Sequence, residues 1–137
     1  MHLSVTFLTT LLIGATAVSA HEHLYIGTIG GCGSNKYGPD WFVWPTDSPA
    51  CTSGVDLGPT SYFGNGLCGR NVTISDGTVV TFTGCAPPSS PGGNPGPPTG
   101  ASDGGCRPLH CRPVERPDQM CPCGGVEVTV KTKYKCN

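Results

Sequence analysis

The chain has 137 residues, of which 21 are glycine and 14 proline, and its formal net charge is −1. So little charge argues against intrinsic disorder, while so much glycine and proline excludes a large apolar core. We therefore expect one small domain, or two very small ones, in which disulfides supplement a thin core.

The first 20 residues have the parts of a secretory signal peptide. An apolar run over residues 5–17 is followed by the small residues Val18, Ser19 and Ala20 at a cleavage position. The run is too short for a stable transmembrane helix, which needs about 20 apolar residues, and no second apolar stretch follows. We predict a signal peptide over residues 1–20 and a secreted, extracellular product without a transmembrane segment.

Four stretches of the mature chain favour β-structure. Residues 24–29 and 41–44 are short strand candidates, and residues 72–83 predict a hairpin with Asp76-Gly77 at its turn. Residues 126–135 alternate with period two. We expect Val126, Val128 and Val130 to point inward and the charged residues of this stretch to point outward. The predicted fold class is small, disulfide-rich and mainly β, with short strands and hairpins, long Gly/Pro-rich loops and little or no helix after the signal peptide.

Residues 87–105 divide the mature chain. Twelve of these 19 residues are proline or glycine and only Ala101 is apolar, so we expect a linker or surface loop that buries nothing. It separates a cysteine-rich β region, residues 21–86, from a cysteine-rich C-terminal β segment, residues 106–137. We favour one fold with strands from both sides, because a 32-residue tail is small for an independent unit.

Nine cysteines follow the signal peptide, and they predict a disulfide framework in an oxidising compartment. They are Cys32, Cys51, Cys68, Cys85, Cys106, Cys111, Cys121, Cys123 and Cys136. An odd number leaves one unpaired, and the sequence leaves the pairing open. Cys121 and Cys123 flank a single proline, so each is expected to bond a separate partner.

The N-terminus of the mature chain carries a candidate copper site. Cleavage after Ala20 would expose His21-Glu22-His23, whose amine, amide and imidazole nitrogens suit Cu(II). Alternatively, the amine and ring nitrogens of His21 would bind copper together with a distant imidazole, that of either His23 or His110. An N-terminal histidine after a signal peptide resembles the copper-bound lytic polysaccharide monooxygenases and their non-oxidative copper-binding relatives, and the resemblance covers only His21 and His110. We expect no cofactor unless this site holds copper, since the cysteine spacing and an oxidising compartment argue against zinc.

Two further sites are surface candidates. In a polyproline II segment, Trp41 and Trp44 would share one face and could form a carbohydrate-binding platform. In a β-strand they would point to opposite sides and serve as core residues. Asn71, in Asn71-Val72-Thr73, is a candidate N-glycosylation site.

Charge is unevenly distributed along the mature chain. Residues 21–105 hold two basic and six acidic side chains, whereas residues 106–137 hold six basic and three acidic ones. The basic C-terminal segment could bind an anionic glycan, a membrane surface or nucleic acid. Alternatively, it is a charged face that contacts only solvent.

No motif predicts catalysis. Asp40, Asp47, Asp56 and Asp76 all neighbour turn-forming residues, where aspartate commonly supports turns, so we do not expect an enzyme. The signal peptide, small size and high cysteine content together resemble the small secreted cysteine-rich proteins of filamentous fungi, many of which are virulence effectors.

That resemblance implies a monomeric secreted effector or elicitor that binds a host protein or a cell-wall polysaccharide. One alternative is an extracellular copper-binding protein that uses His21 and His23. Another is a carbohydrate-binding or antimicrobial module that uses Trp41, Trp44 and a face formed by Lys131, Lys133 and Lys135. Nucleic acid is a lesser alternative as partner, through the basic C-terminal segment.

Overall fold

The computed structural model describes residues 23–30, 39–60, 66–105 and 107–137. Within these ranges the chain forms nine strands and one four-residue helix, which confirms the predicted mainly β, disulfide-rich class. The elements are β1 Leu24–Ile29, β2 Asp40–Pro45, α1 Ala50–Ser53, β3 Val55–Pro59, β4 Asn71–Thr73, β5 Val79–Thr83, β6 Gly100–Ser102, β7 Leu109–Pro113, β8 Gln119–Cys123 and β9 Val126–Cys136.

The strands form one antiparallel array in the order β3-β2-β1-β9-β7-β6-β5-β4, and β8 is an additional partner of β9. β9 is the longest strand and pairs with β1 along one edge. Its other edge pairs with β8 over its first half and with β7 over its last three residues. The C-terminal segment therefore lies between strands from both parts of the chain.

A β-bulge at Lys133 reverses the two faces of β9. Ile26 of β1 lies opposite Tyr134, whereas the next residue, Gly27, lies opposite Thr132, so Lys133 is the extra residue. β1 keeps its alternation through this point. Side chains of even-numbered β9 residues therefore point to one face before the bulge and to the other face after it.

This reversal explains how β9 contributes to two hydrophobic clusters. The first cluster lies on one side of the sheet and contains Leu24, Ile26, Val43, Leu67, Val72, Ile74, Val80, Phe82, Ala101, Leu109, Cys111 and Cys136. The second cluster lies on the other side, where α1 and β8 cover it, and contains Ile29, Phe42, Trp44, Ala50, Cys121, Val128 and Val130. Each cluster is small, as the composition predicts.

Three disulfides connect the described residues, namely Cys51–Cys121, Cys68–Cys85 and Cys111–Cys136. Cys123 is also disulfide-bonded, so Cys121 and Cys123 do bond separate partners, as predicted. Cys51–Cys121 connects α1 to β8 and thereby joins the two cysteine groups of the sequence. Cys32 and Cys106 lie outside the described residues.

The predicted β4–β5 hairpin is confirmed. β4 and β5 pair in register from Asn71 opposite Thr81 to Thr73 opposite Val79. In the turn, Asp76 accepts hydrogen bonds from the backbone N–H and the hydroxyl of Thr78, at 2.9 and 2.7 Å. Gly77 has φ = 89°, a conformation that favours glycine, which accounts for the Asp-Gly pair at this turn.

Two expectations about burial are wrong. Residues 87–105 do not form only a linker or loop, because β6 lies within them and pairs with β5 and β7. Ala101 of β6 is 2% exposed, since a short strand with one small apolar side chain fits between its neighbours. Val126 does not point into the core but is 59% exposed, because the end of the β8–β9 hairpin extends past the second cluster.

Among the described residues, no helix is long and apolar enough to cross a membrane.

Candidate ligand-binding face

Register places a row of four side chains across adjacent strands on one side of the sheet. Arg112 of β7 lies opposite Lys135 of β9, Lys135 lies opposite Tyr25 of β1, and Tyr25 lies opposite Trp44 of β2. Side chains of directly paired residues point to the same face, so this row begins with two cations and ends in the second cluster.

Arg116 adds a third cation to this row. Its guanidinium carbon lies 4.6 Å from the centroid of the Tyr25 ring, in cation–π geometry. The Tyr25 ring in turn contacts Trp44, at 5.7 Å between ring centroids, and Trp44 is 1% exposed. The buried Trp44 ring therefore supports Tyr25, and Arg116 lies over Tyr25. We call Arg112, Arg116 and Lys135, with Tyr25 beneath them, the cationic face.

The positive charge of this face is not neutralised within the described chain. None of Arg112, Arg116 and Lys135 belongs to an ion pair with a described residue. Arg112 and Lys135 are like charges directly opposite each other, an arrangement that destabilises a sheet by roughly 0.2–1 kcal/mol. The fold thus places charges together that repel one another.

Lys131 lies on the opposite side of the same strand. It pairs with Thr28, which alternates away from the side that carries Tyr25, and its Nζ lies 3.9 Å from an oxygen of Asp118. The predicted face formed by Lys131, Lys133 and Lys135 is therefore wrong, because the bulge at Lys133 separates Lys131 from Lys135. No alternation pattern in the sequence reveals this bulge.

An open groove of about 380 Å³ lies at the junction of β7 and β9. It is lined by Pro113, Val114, Glu115, Thr132, Lys133 and Tyr134. Pro113 and Tyr134 are paired one position from Arg112 and Lys135, so their side chains point to the side of the sheet opposite the cationic face. One wall, residues 113–115, connects Arg112 directly to Arg116 along the chain. Carboxylate, ammonium, hydroxyl and aromatic groups thus border the same groove, which suits a polar ligand with several hydrogen-bonding groups.

Thr132 is an unusual member of this lining. It is 8% exposed, and its hydroxyl oxygen is the one buried side-chain polar atom without a hydrogen-bond partner in the described structure. An unmade hydrogen bond of this kind typically destabilises a protein by about 1–3 kcal/mol. The hydroxyl lies at the bulge, where β9 changes its partner from β8 to β7.

Trp41 and Trp44 follow the strand alternative and not the carbohydrate-platform alternative. Both lie in β2, so their rings point to opposite sides of the sheet, as the strand alternative required. Trp41 packs against the first cluster, whereas Trp44 is buried in the second. The two rings therefore form no common exposed surface.

The copper predictions fall partly outside the described residues. His21 lies outside them, His23 is exposed just before β1, and His110 is exposed in β7. The backbone of His110 exchanges two hydrogen bonds with Asn137, at 2.9 and 3.1 Å. In the described part of the chain, no three His, Cys, Asp or Glu side chains are grouped so that they could hold a metal.

Asp40 and Asp56 form a pair of carboxyl groups at the β2–β3 edge. Asp40 is 6% exposed, and burial raises the pKa of Asp56, with further contributions from the charge and side-chain hydrogen bond of Asp40. The backbone N–H of Gly58 donates a 2.8 Å hydrogen bond to Asp56 and opposes the rise. Asp76 supports a turn, as predicted, whereas Asp56 lies within β3 and accepts its hydrogen bond from Gly58 of the same strand.

Asn71 lies at the start of β4, an edge strand, and is exposed. Its side-chain oxygen accepts a 2.7 Å hydrogen bond from the Thr81 hydroxyl. An exposed asparagine at a sheet edge is accessible to a modifying enzyme, so this position stays a predicted glycosylation site.

Comparison with known proteins adds no relative: no protein-family model, curated protein or solved structure matches the chain. The central residue of the cationic face, Tyr25, was not among the candidates predicted from the sequence. Its signal was weak, because a single tyrosine in an alternating strand is typical of core packing.

Proposed function

We propose that this chain is a secreted, disulfide-stabilised effector of fungal origin that acts by binding a host or cell-wall target rather than by catalysis. The apparent signal peptide and nine cysteines support export to an oxidising compartment. Three disulfides among the described residues are compatible with an extracellular protein. A glycan at Asn71 would be a further consequence of that route.

The observation that carries the proposal is the unpaired cationic face. Arg112 and Lys135 repel each other across two strands, and Arg116 is fixed beside them on Tyr25. Each would gain from a partner that supplies negative charge, because charge-assisted hydrogen bonds are about twice as strong as neutral ones. Such a face favours recognition of an anionic partner, even though the whole chain is nearly neutral.

The test compares two variants of the oxidised, secreted protein on host tissue. The double variant Arg112→Gln/Lys135→Gln removes two charges from the cationic face. The control, Lys131→Gln, removes a charge from the same strand on the opposite side. We expect wild type and Lys131→Gln to elicit equal host responses and the double variant to lose most of its response.

Two results would overturn the proposal. One is a wild-type protein that elicits no host response and whose deletion leaves growth on the host unchanged. The other is a double variant that is as active as the wild type, since the cationic face would then have no part in the activity.

A further inference from the structure

We infer that the cationic face binds an acidic polysaccharide whose sugars carry carboxylate groups. This inference rests on the proposed function and specifies its target. The carboxylates would contact Arg112, Arg116 and Lys135.

Two of the three cations are arginines, which suits a carboxylate ligand. The planar guanidinium presents paired N–H donors that match the two oxygens of a carboxylate, whereas lysine is a compact point charge. Arg112 and Lys135 are paired on neighbouring strands, whose backbones lie about 5 Å apart. Two cationic side chains that leave the sheet so close together fit charges that recur along a polymer better than one isolated anion.

The three cations follow one another across the same face. Lys135 lies between Arg112 of β7 and Tyr25 of β1, and Arg116 lies over the Tyr25 ring. A single chain of acidic sugars can therefore contact all three cations in succession.

The same geometry is less suited to a membrane. Surface-bound proteins combine cations with exposed apolar side chains that insert between lipids. The exposed large apolar residues of the described chain are Val79, Met120 and Val126. Val126 and Lys135 lie at opposite ends of β9, about 30 Å apart, so this apolar side chain is remote from the cations.

Nucleic acid is likewise disfavoured. Proteins that bind duplexes commonly contact 6–10 phosphates, roughly two to three times the number of cations on this face. Stacking of bases requires an accessible aromatic ring, and Arg116 already lies over Tyr25.

The decisive experiment measures binding of the natively oxidised, full-length secreted protein to soluble polygalacturonate. Its fully methyl-esterified form is the uncharged comparison, and duplex DNA and anionic lipid vesicles are the competing probes. We expect binding to polygalacturonate only, with affinity falling as salt rises from about 0.05 to about 0.3 M.

Three variants locate the site. Arg112→Gln/Lys135→Gln should weaken binding about 100-fold, since each lost charge-assisted contact contributes roughly tenfold. Arg116→Gln should weaken binding about tenfold, whereas Lys131→Gln should change it less than about twofold. Unchanged circular dichroism and melting temperature establish that each variant is folded.

Several outcomes would overturn the inference. These are equal binding to the methyl-esterified polymer, tighter binding to DNA or vesicles, or an equal loss of affinity in Lys131→Gln. Absence of polygalacturonate binding, together with a host response that still depends on Arg112 and Lys135, would overturn the inference but retain the proposed function. If the protein does not bind polygalacturonate and its host response does not depend on Arg112 and Lys135, both the inference and the proposed function are overturned.

Discussion

The Cys51–Cys121 disulfide should stabilise the fold more than the Cys68–Cys85 disulfide, because it closes a longer loop. The two bridges span 70 and 17 residues, respectively. In the chain-entropy model their contributions are about 4.4 and about 3.2 kcal/mol. The shorter bridge lies inside the longer loop and shortens it, but the logarithmic dependence lowers the larger value only to about 4.2 kcal/mol.

Packing should widen this difference. Cys121 is 3% exposed within the second cluster, and its bond to Cys51 holds α1 against β8. Cys85 and Cys68 are half-buried. Removal of Cys51–Cys121 therefore loosens the cover over Trp44 and Val130, in addition to releasing the loop.

The assay is urea unfolding of two double variants, Cys51→Ala/Cys121→Ala and Cys68→Ala/Cys85→Ala, followed by tryptophan fluorescence. Peptide mapping first verifies that the remaining bridges are native. We expect the first variant to lose about 1 kcal/mol more free energy of unfolding than the second. An equal or smaller loss would refute the reasoning from loop length and from the covering role of α1.

Three further predictions concern single residues. Thr132→Val should raise the free energy of unfolding by about 1 kcal/mol in urea titration, because it replaces a buried, unpaired hydroxyl with a methyl group; destabilisation would mean that the hydroxyl is partnered. Gly27→Ala should destabilise by about 1–3 kcal/mol or more, since its Cβ would collide with the carbonyl oxygen of Lys131 and lie 3.0 Å from Trp44. Gly30→Ala, whose Cβ meets nothing within 4 Å, is the control, and equal melting temperatures for the two variants would contradict the steric argument. Burial and Asp40 raise the native pKa of Asp56, so its contribution to stability is greatest below its ordinary pKa and is lost as pH rises through the raised value. Asp56→Asn should therefore melt at a higher temperature than wild type at pH 7, and the difference in melting temperature should be smaller at pH 4. A difference in melting temperature that does not depend on pH would contradict a raised pKa of Asp56.

Local patterns in the sequence predicted five of the nine strands of the described chain, and β3, β7 and β8 were not predicted. Alternation located β9, β1 and β2 were short strand candidates, and Asp76-Gly77 located the β4–β5 turn, because these signals depend on residues close together in the chain. Alternation did not locate β6, whose single buried side chain, Ala101, lies in a stretch rich in proline and glycine.

The candidate site was much less predictable. Its positive charge was visible in the C-terminal segment, but the choice of Lys135 over Lys131 depends on the bulge at Lys133. Likewise, Arg112 meets Lys135, and Lys135 meets Tyr25, only through the pairing of β7 and β1 with β9. Such long-range register follows from the whole topology, so no local pattern specifies it.

The central position of β9 also sets when this protein can fold. β1 emerges from the ribosome early, yet its second neighbour in the sheet is the last strand of the described chain. The Cys51–Cys121 bridge likewise joins an early residue to a late one, and the Cys111–Cys136 bridge requires the last residue of β9. The Cys111–Cys136 bridge can therefore form only after residue 136 has been translated, and thiols exposed before then depend on disulfide exchange to reach their correct partners.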